Sequence, residues 1–174
     1  MSFFYSLKEM GHWVDKRESN LLDGFAHFYD TYECSDNKFL AVGSIEPQFY
    51  SELLDKLGIE EDKFKDQHNK ELWPELKNIM SSKIKSKSRS EWIEIFKDSD
   101  ACVSPVLTME EAREHPHNIE REAFINIDGF NQPNASPRYS VTKQEIKHNA
   151  KQVGADLDDI CKEFNLSIDA LKKT

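Results

Sequence analysis

Between Phe39 and Leu57 the apolar pattern changes its period. The run "FLAVGS" is compact and apolar, whereas Phe49, Leu53, Leu54 and Leu57 recur at intervals of three and four until Gly58, the spacing of one helix face. Upstream, "HFYDTYEC" alternates aromatic and polar side chains and "SDNK" supplies turn chemistry, so residues 27–44 are predicted to form a β-hairpin. Pro47 suits the first turn of the helix that follows. The predicted unit is strand, turn, strand, helix, with Glu46 at the last junction.

The same reading extends along the chain. Residues 2–13 place Phe3, Phe4, Leu7 and Met10 at helical spacing; so aromatic a helix calls for something packed on it. After the polar loop "IEEDKFKDQHNKE", Leu76, Ile79, Met80 and Ile84 form one face of a helix begun by Pro74. A short helix with Trp92, Ile95 and Phe96 follows, with Ser88 or Ser90 as cap and Glu91 in its first turn. "ACVSPVL" reads as a short strand broken by Pro105, which suits a sheet edge or a strand end. Thr108 and Glu111 have capping-box spacing for a helix to about Glu114, which Pro116 is expected to stop. "EAFINIDGF" is a strand ending in an Asp128-Gly129 turn, residues 131–140 an extended linker, and residues 143–174 mostly helical, with 154–174 reading as two short helices around Asn165. The expected division is 1–24, a helix end and linker; 25–130, a small α/β domain; and 131–174, a linker and helical tail.

Composition narrows the function classes. Apolar residues make up 38% of 174 and eleven are Phe, which suits a folded domain rather than an acidic disordered tail. A formal charge of −9 argues against a general nucleic-acid binder. The local basic run "KIKSKSR" (Lys83, Lys85, Lys87, Arg89) reads as a solvated helix end and connector. The tail spacing imitates a helix-turn-helix, with Leu166, Ile168 and Leu171 after the turn, but its second helix is not basic enough to read DNA. Cys34, Cys102 and Cys161 are odd in number and lack ligand spacing, so they read as reduced thiols. With no basic leader and no sustained apolar span, the chain is expected to be soluble and cytoplasmic, away from membranes.

Candidate chemistry is sparse. His115 and His117 flank a proline and cannot share a helix face for a metal, and there is no phosphate loop, nucleophile elbow or zinc motif. Glu46 has two readings that the pattern leaves open. A carboxylate at a helix N-terminus is favoured by the free N–H groups, worth roughly 0.3–1 kcal/mol; alternatively, a strand end is a place to present a carboxylate rigidly into a cleft.

The stretch "NLLDGFAHFYDTYECSDNKFLAVGSIEPQFYSELLDKLG", followed in order by "WPELKNIM", "DACVSPVLTMEEAREHPHN" and "SPRYS", resembles the C-terminal portion of the α-methylacyl-CoA racemases within the family III CoA-transferase (CaiB/BaiF) superfamily. Phe25 and His27 depart from the family, which usually has Gly and Pro there. The resemblance implies an α+β fold of the α/β family, namely the small C-terminal domain, a β-hairpin plus helices, with an N-terminal helix and an extended C-terminal arm. It also implies that the nucleotide-binding half carrying the catalytic His and Asp is missing.

The implied reaction is a 1,1-proton transfer α to a CoA thioester through an enolate, with no metal and no redox cofactor. The position matching the family's catalytic Glu is Glu46, implied to orient an imidazole. Asp23, Tyr29 and Tyr32 are implied candidates for lining the substrate cleft, with packing the competing and favoured reading for both tyrosines. The implied partners are an acyl-CoA and either a second copy, in an interlocked dimer, or the missing half. A CoA-transferase of the same superfamily, working through an aspartyl anhydride, and a non-catalytic fragment or interaction module are the alternatives.

Overall fold

The computed structural model describes residues 2–60 and 62–168. The chain separates into two compact units, Met1–Leu107 and Thr108–Thr174. The boundary falls between the third strand and the helix capped by Thr108, earlier than the expected division after residue 130.

In the first unit, helix α1 (Ser2–Glu9) precedes the hairpin β1 (Tyr29–Glu33) and β2 (Phe39–Gly43), and helix α2 (Pro47–Leu57) follows. A 3-10 turn (Asp62–Lys65), α3 (Trp73–Ile84), α4 (Arg89–Phe96) and β3 (Val103–Val106) complete it. The hairpin closes where Asn37 takes φ 58°, a left-handed conformation that asparagine tolerates. Gly58 ends α2 at φ 64°, its N–H bonded to the carbonyls of Asp55 and Leu54, a glycine cap of the usual kind. Ser88 and Glu91 form a reciprocal capping box on α4.

The sheet is antiparallel in the order β1, β2, β3, which leaves Pro105 on an edge strand where its missing N–H costs no ladder bond. Tyr32 pairs with Leu40 and Asp30 with Val42, and Tyr32, Leu40 and Val42 are buried against the helices. Because side chains alternate along a strand, Tyr29, Thr31, Ala41, Gly43 and Ser104 turn to the other face.

Trp73, Trp92, Phe28, Phe64, Leu53, Leu57, Leu76, Met80 and Ile84 are almost wholly buried, at about 1.5–3 kcal/mol for each large apolar side chain removed from water. Both tryptophans also place their polar edge. The indole of Trp73 donates to the Gln67 carbonyl at 2.8 Å, and that of Trp92 to the Ile84 carbonyl at 2.7 Å, as buried indoles usually do. Helix α1 buries no residue, and Phe3, Tyr5 and Met10 are exposed.

The second unit holds α5 (Met109–Glu114), α6 (Pro116–Glu120), the hairpin β4 (Phe124–Ile127) and β5 (Phe130–Pro133), and α7 (Leu157–Glu163). Thr108 and Glu111 make the expected capping box. Helix α5 ends at Glu114, before Pro116, as expected, and Pro116 also occupies the first turn of α6, where its missing N–H is no loss. One expectation needs correction. The stretch after Asp128-Gly129 is not linker from residue 131, since Phe130–Pro133 turns back to pair with β4. Of the two expected tail helices, α7 is present, and the greater part of the second, with Leu171, lies outside the described residues. No described helix is long and apolar enough to cross a membrane.

Candidate functional site

The strand-to-helix corner at Ser44-Ile45-Glu46 is anchored from four sides. The Ser44 N–H donates to the Phe28 carbonyl at 3.0 Å, and the Ser44 hydroxyl to the Ala101 carbonyl at 2.6 Å. The Gln67 amide donates to the carbonyls of Ser44 and Ile45, each at 3.0 Å. On the far side, the Tyr50 N–H closes the first helical turn on the Glu46 carbonyl at 3.0 Å. Ser44 and Gln67 are buried, so these bonds are shielded from water.

Glu46 itself is exposed, in extended conformation at φ −75° and ψ 142°. It stands at the N-cap of α2, yet its side chain makes no cap hydrogen bond. Among the described residues its carboxylate has no hydrogen-bond or ion-pair partner. A helix N-terminus normally recruits such a group to its free N–H donors; here the carboxylate is left available while its backbone is pinned.

The outer face of the sheet forms an open cleft of about 440 Å³, lined among others by Asp23, Gly24, Tyr29, Thr31, Ala41, Gly43, Cys102 and Ser104. Its floor is made of small side chains. Cys102 also borders a second open cleft, of about 390 Å³, with Phe49 of α2. The Cys102 thiol is pushed up from its ordinary pKa by desolvation, then by the carboxylates of Glu46, Asp100 and Glu52. Glu46 therefore lies within electrostatic reach of Cys102, which with Ser104 lines both clefts.

The other sequence candidates divide. Asp23 borders the sheet cleft, but its carboxylate is engaged: it accepts from the Asn20 N–H at 2.8 Å, the Asn20 side-chain amide at 2.6 Å and the Ser19 N–H at 3.1 Å. Burial works against its charge, but the bonds from Asn20, Ser19 and Phe25 outweigh it and hold the carboxyl below its ordinary value. Asn20, 2% exposed, spends its own carbonyl on the Val14 N–H at 2.8 Å. The "NLLDG" motif is thus a latch for the loop at the cleft's edge.

Tyr29 lines the cleft. Tyr32 does not: it is 3% exposed and its hydroxyl donates to the His27 carbonyl at 2.5 Å, so its place is in the core. His27 is wholly buried, its Nε2 is 2.7 Å from the Tyr50 hydroxyl, and burial followed by the neighbouring His68 lowers its pKa to about 4.

The basic run is absorbed by structure. Lys85 pairs with Glu33 at 3.0 Å, Lys87 lies over the Trp92 ring, and the Arg89 guanidinium donates to the Val106 carbonyl. Gln67 and Ser44 had no signal in the sequence, because a polar residue in a polar loop looks like any other until its distant partner is known.

The family model described as CoA-transferase family III matches residues 4–157. The chain belongs to CoA-transferase family III. Among curated family III relatives, α-methylacyl-CoA racemase of Mus musculus is 41% identical over 169 residues, covering 95% of this chain and 44% of that protein. Its counterpart in Homo sapiens is 42% identical over 137 residues, covering 79% of this chain and 35% of that protein. The chain thus spans less than half the length of these relatives. Among solved structures, a CAIB/BAIF family protein from Brucella suis superposes with a TM-score of 0.67 at 16% identity, over 91% of this chain and 43% of that one. A hypothetical protein from Mycobacterium tuberculosis does so with 0.60 at 14%, over 82% and 39%. At such identities these two likenesses speak to the fold, a family III domain of mixed helices and antiparallel sheets.

Proposed function

We propose that this chain supplies one wall of the active site of an acyl-CoA racemase, which epimerises 2-methylacyl-CoA thioesters by moving a proton at the α-carbon. The observation that carries the reading is Glu46, whose carboxylate has no hydrogen bond among the described residues, on a pinned corner within electrostatic reach of Cys102, a residue that lines an open cleft. The relatives named α-methylacyl-CoA racemase support it.

In this reading the α-proton leaves as H⁺ to a base, the C–H electron pair delocalises into the thioester as an enolate, and a proton returns to the opposite face. No redox change occurs, so the reaction calls for no redox cofactor. The base is an imidazole from the part of the protein that precedes the matched region in the racemases. Glu46 orients that imidazole and favours its protonated form, as an adjacent carboxylate does. Small side chains on the sheet face, with Tyr29 at the margin, leave room for the acyl portion. A second copy or a complementing half closes the site, in an interlocked assembly. The three unpaired cysteines suit a reducing compartment, here taken as the cytoplasm, and the substrate class places the activity in branched fatty acid metabolism.

The test is a chimera in which this chain replaces the matching portion of the mouse racemase, given one epimer of a 2-methylacyl-CoA in deuterated water. Deuterium incorporation at the α-carbon with loss of stereochemical purity is expected. Transfer of CoA to a free acceptor acid, releasing the donor acid without α-proton exchange, would identify a CoA-transferase instead, and a folded chimera with neither activity would identify a non-catalytic module.

A further inference from the structure

The geometry points to Gln67 as the positioning residue for Glu46, a role that rests on the racemase reading. Gln67 lies in the polar loop ahead of α3, 7% exposed, with its amide nitrogen donating to the carbonyls of Ser44 and Ile45, the two residues immediately before Glu46. Strand β2 has ended at Gly43, and β2's pairing with β3 stops at Val42, so these carbonyls have left the ladder. The backbone of Gln67 is tied in turn to the core, where its carbonyl accepts the indole N–H of Trp73.

The choice of glutamine follows from donor count. One primary amide has two N–H bonds and serves both carbonyls at once. Glutamate offers only acceptors at neutral pH, methionine no donor, and asparagine is a methylene shorter. Leaving a buried carbonyl unpaired costs about 1–3 kcal/mol, so loss of the amide shifts the corner toward water.

That shift is communicated to Glu46 because its carboxylate has no hydrogen bond or ion pair of its own among the described residues. The side chain is aimed by the backbone at residues 44–46 and by the first turn of α2. A misplacement of about 1 Å in a group that orients a reacting partner costs on the order of 100-fold in rate. Gln67 touches neither substrate nor the reacting atoms in this account; it acts through Glu46.

A double-mutant cycle in the racemase chimera tests this. Gln67→Met is expected to lower kcat about tenfold or more with KM for the acyl-CoA within about twofold. In a Glu46→Gln background the same substitution is expected to cause no further loss, since the group it positions is already gone. If Gln67→Met does not fold, Gln67→Asn, which keeps the amide on a shorter stem, replaces it in the same cycle, with a smaller loss that also vanishes in the Glu46→Gln background. Full kcat in a folded variant, or equal losses in both backgrounds, would overturn the role and leave Gln67 as a fold stabiliser. An unmodified chimera without α-proton exchange removes the racemase reading itself, and that control separates the two failures.

Discussion

The charge of Glu46 helps to hold the proton on Cys102. The two residues sit at the same corner of the fold, and the carboxylate, with Asp100 and Glu52, adds to desolvation in raising the thiol's pKa. Glu46→Gln is therefore expected to speed alkylation of Cys102 by iodoacetamide at pH 8 by roughly twofold, the size of effect one exposed charge exerts through solvent. Cys34 and Cys161 are buried and serve as slow internal references in mass spectrometry. An unchanged rate would place the carboxylate away from the clefts.

His27 makes stability depend on mild acid. It is buried neutral beside Tyr50 with its pKa lowered to about 4 from 6.5, so between those values the unfolded chain binds a proton that the folded chain excludes. Stability is complete above pH 6.5 and falls as pH drops toward 4, by up to roughly 3 kcal/mol. Urea unfolding across this window is expected to show that slope in the parent and to lack it in His27→Asn.

The loop latch should be costly to remove. Asn20→Ala deletes the side chain that bridges Val14 and Asp23 and is expected to destabilise the first unit by about 2–3 kcal/mol. Gly24→Ala should cost about 1–2 kcal/mol, because Gly24 has φ +90° and a Cβ there would stand 3.2 Å from Asp30 Oδ1. Denaturant midpoints with unchanged m-values check both.

What was legible in the sequence is what local chemistry dictates. The hairpin around Asn37, the helix between Pro47 and Gly58, and the capping box at Thr108 each rest on residues a few positions apart and formed as expected; of the two candidate caps for α4, the structure uses Ser88. Glu46 stood out because it interrupts an apolar strand end, and the family resemblance then supplied its implied role. The misses have longer or subtler causes. Gln67 bonds to carbonyls 22 and 23 positions away, and no periodicity encodes that pairing. Tyr32 has a polar tip like Tyr29, but strand alternation turns it to the core, where the His27 carbonyl takes its hydroxyl. Asp23 does border the cleft, but its engagement by Ser19 and Asn20 rests on backbone N–H donors that a sequence does not display.

The most direct test of the central claim is the rate of α-proton exchange by the racemase chimera carrying Glu46→Gln. A fall of about tenfold to a hundredfold is expected, with the denaturant midpoint of the unmodified chimera retained. Undiminished exchange would contradict the account and leave Glu46 as a charge at the start of a helix.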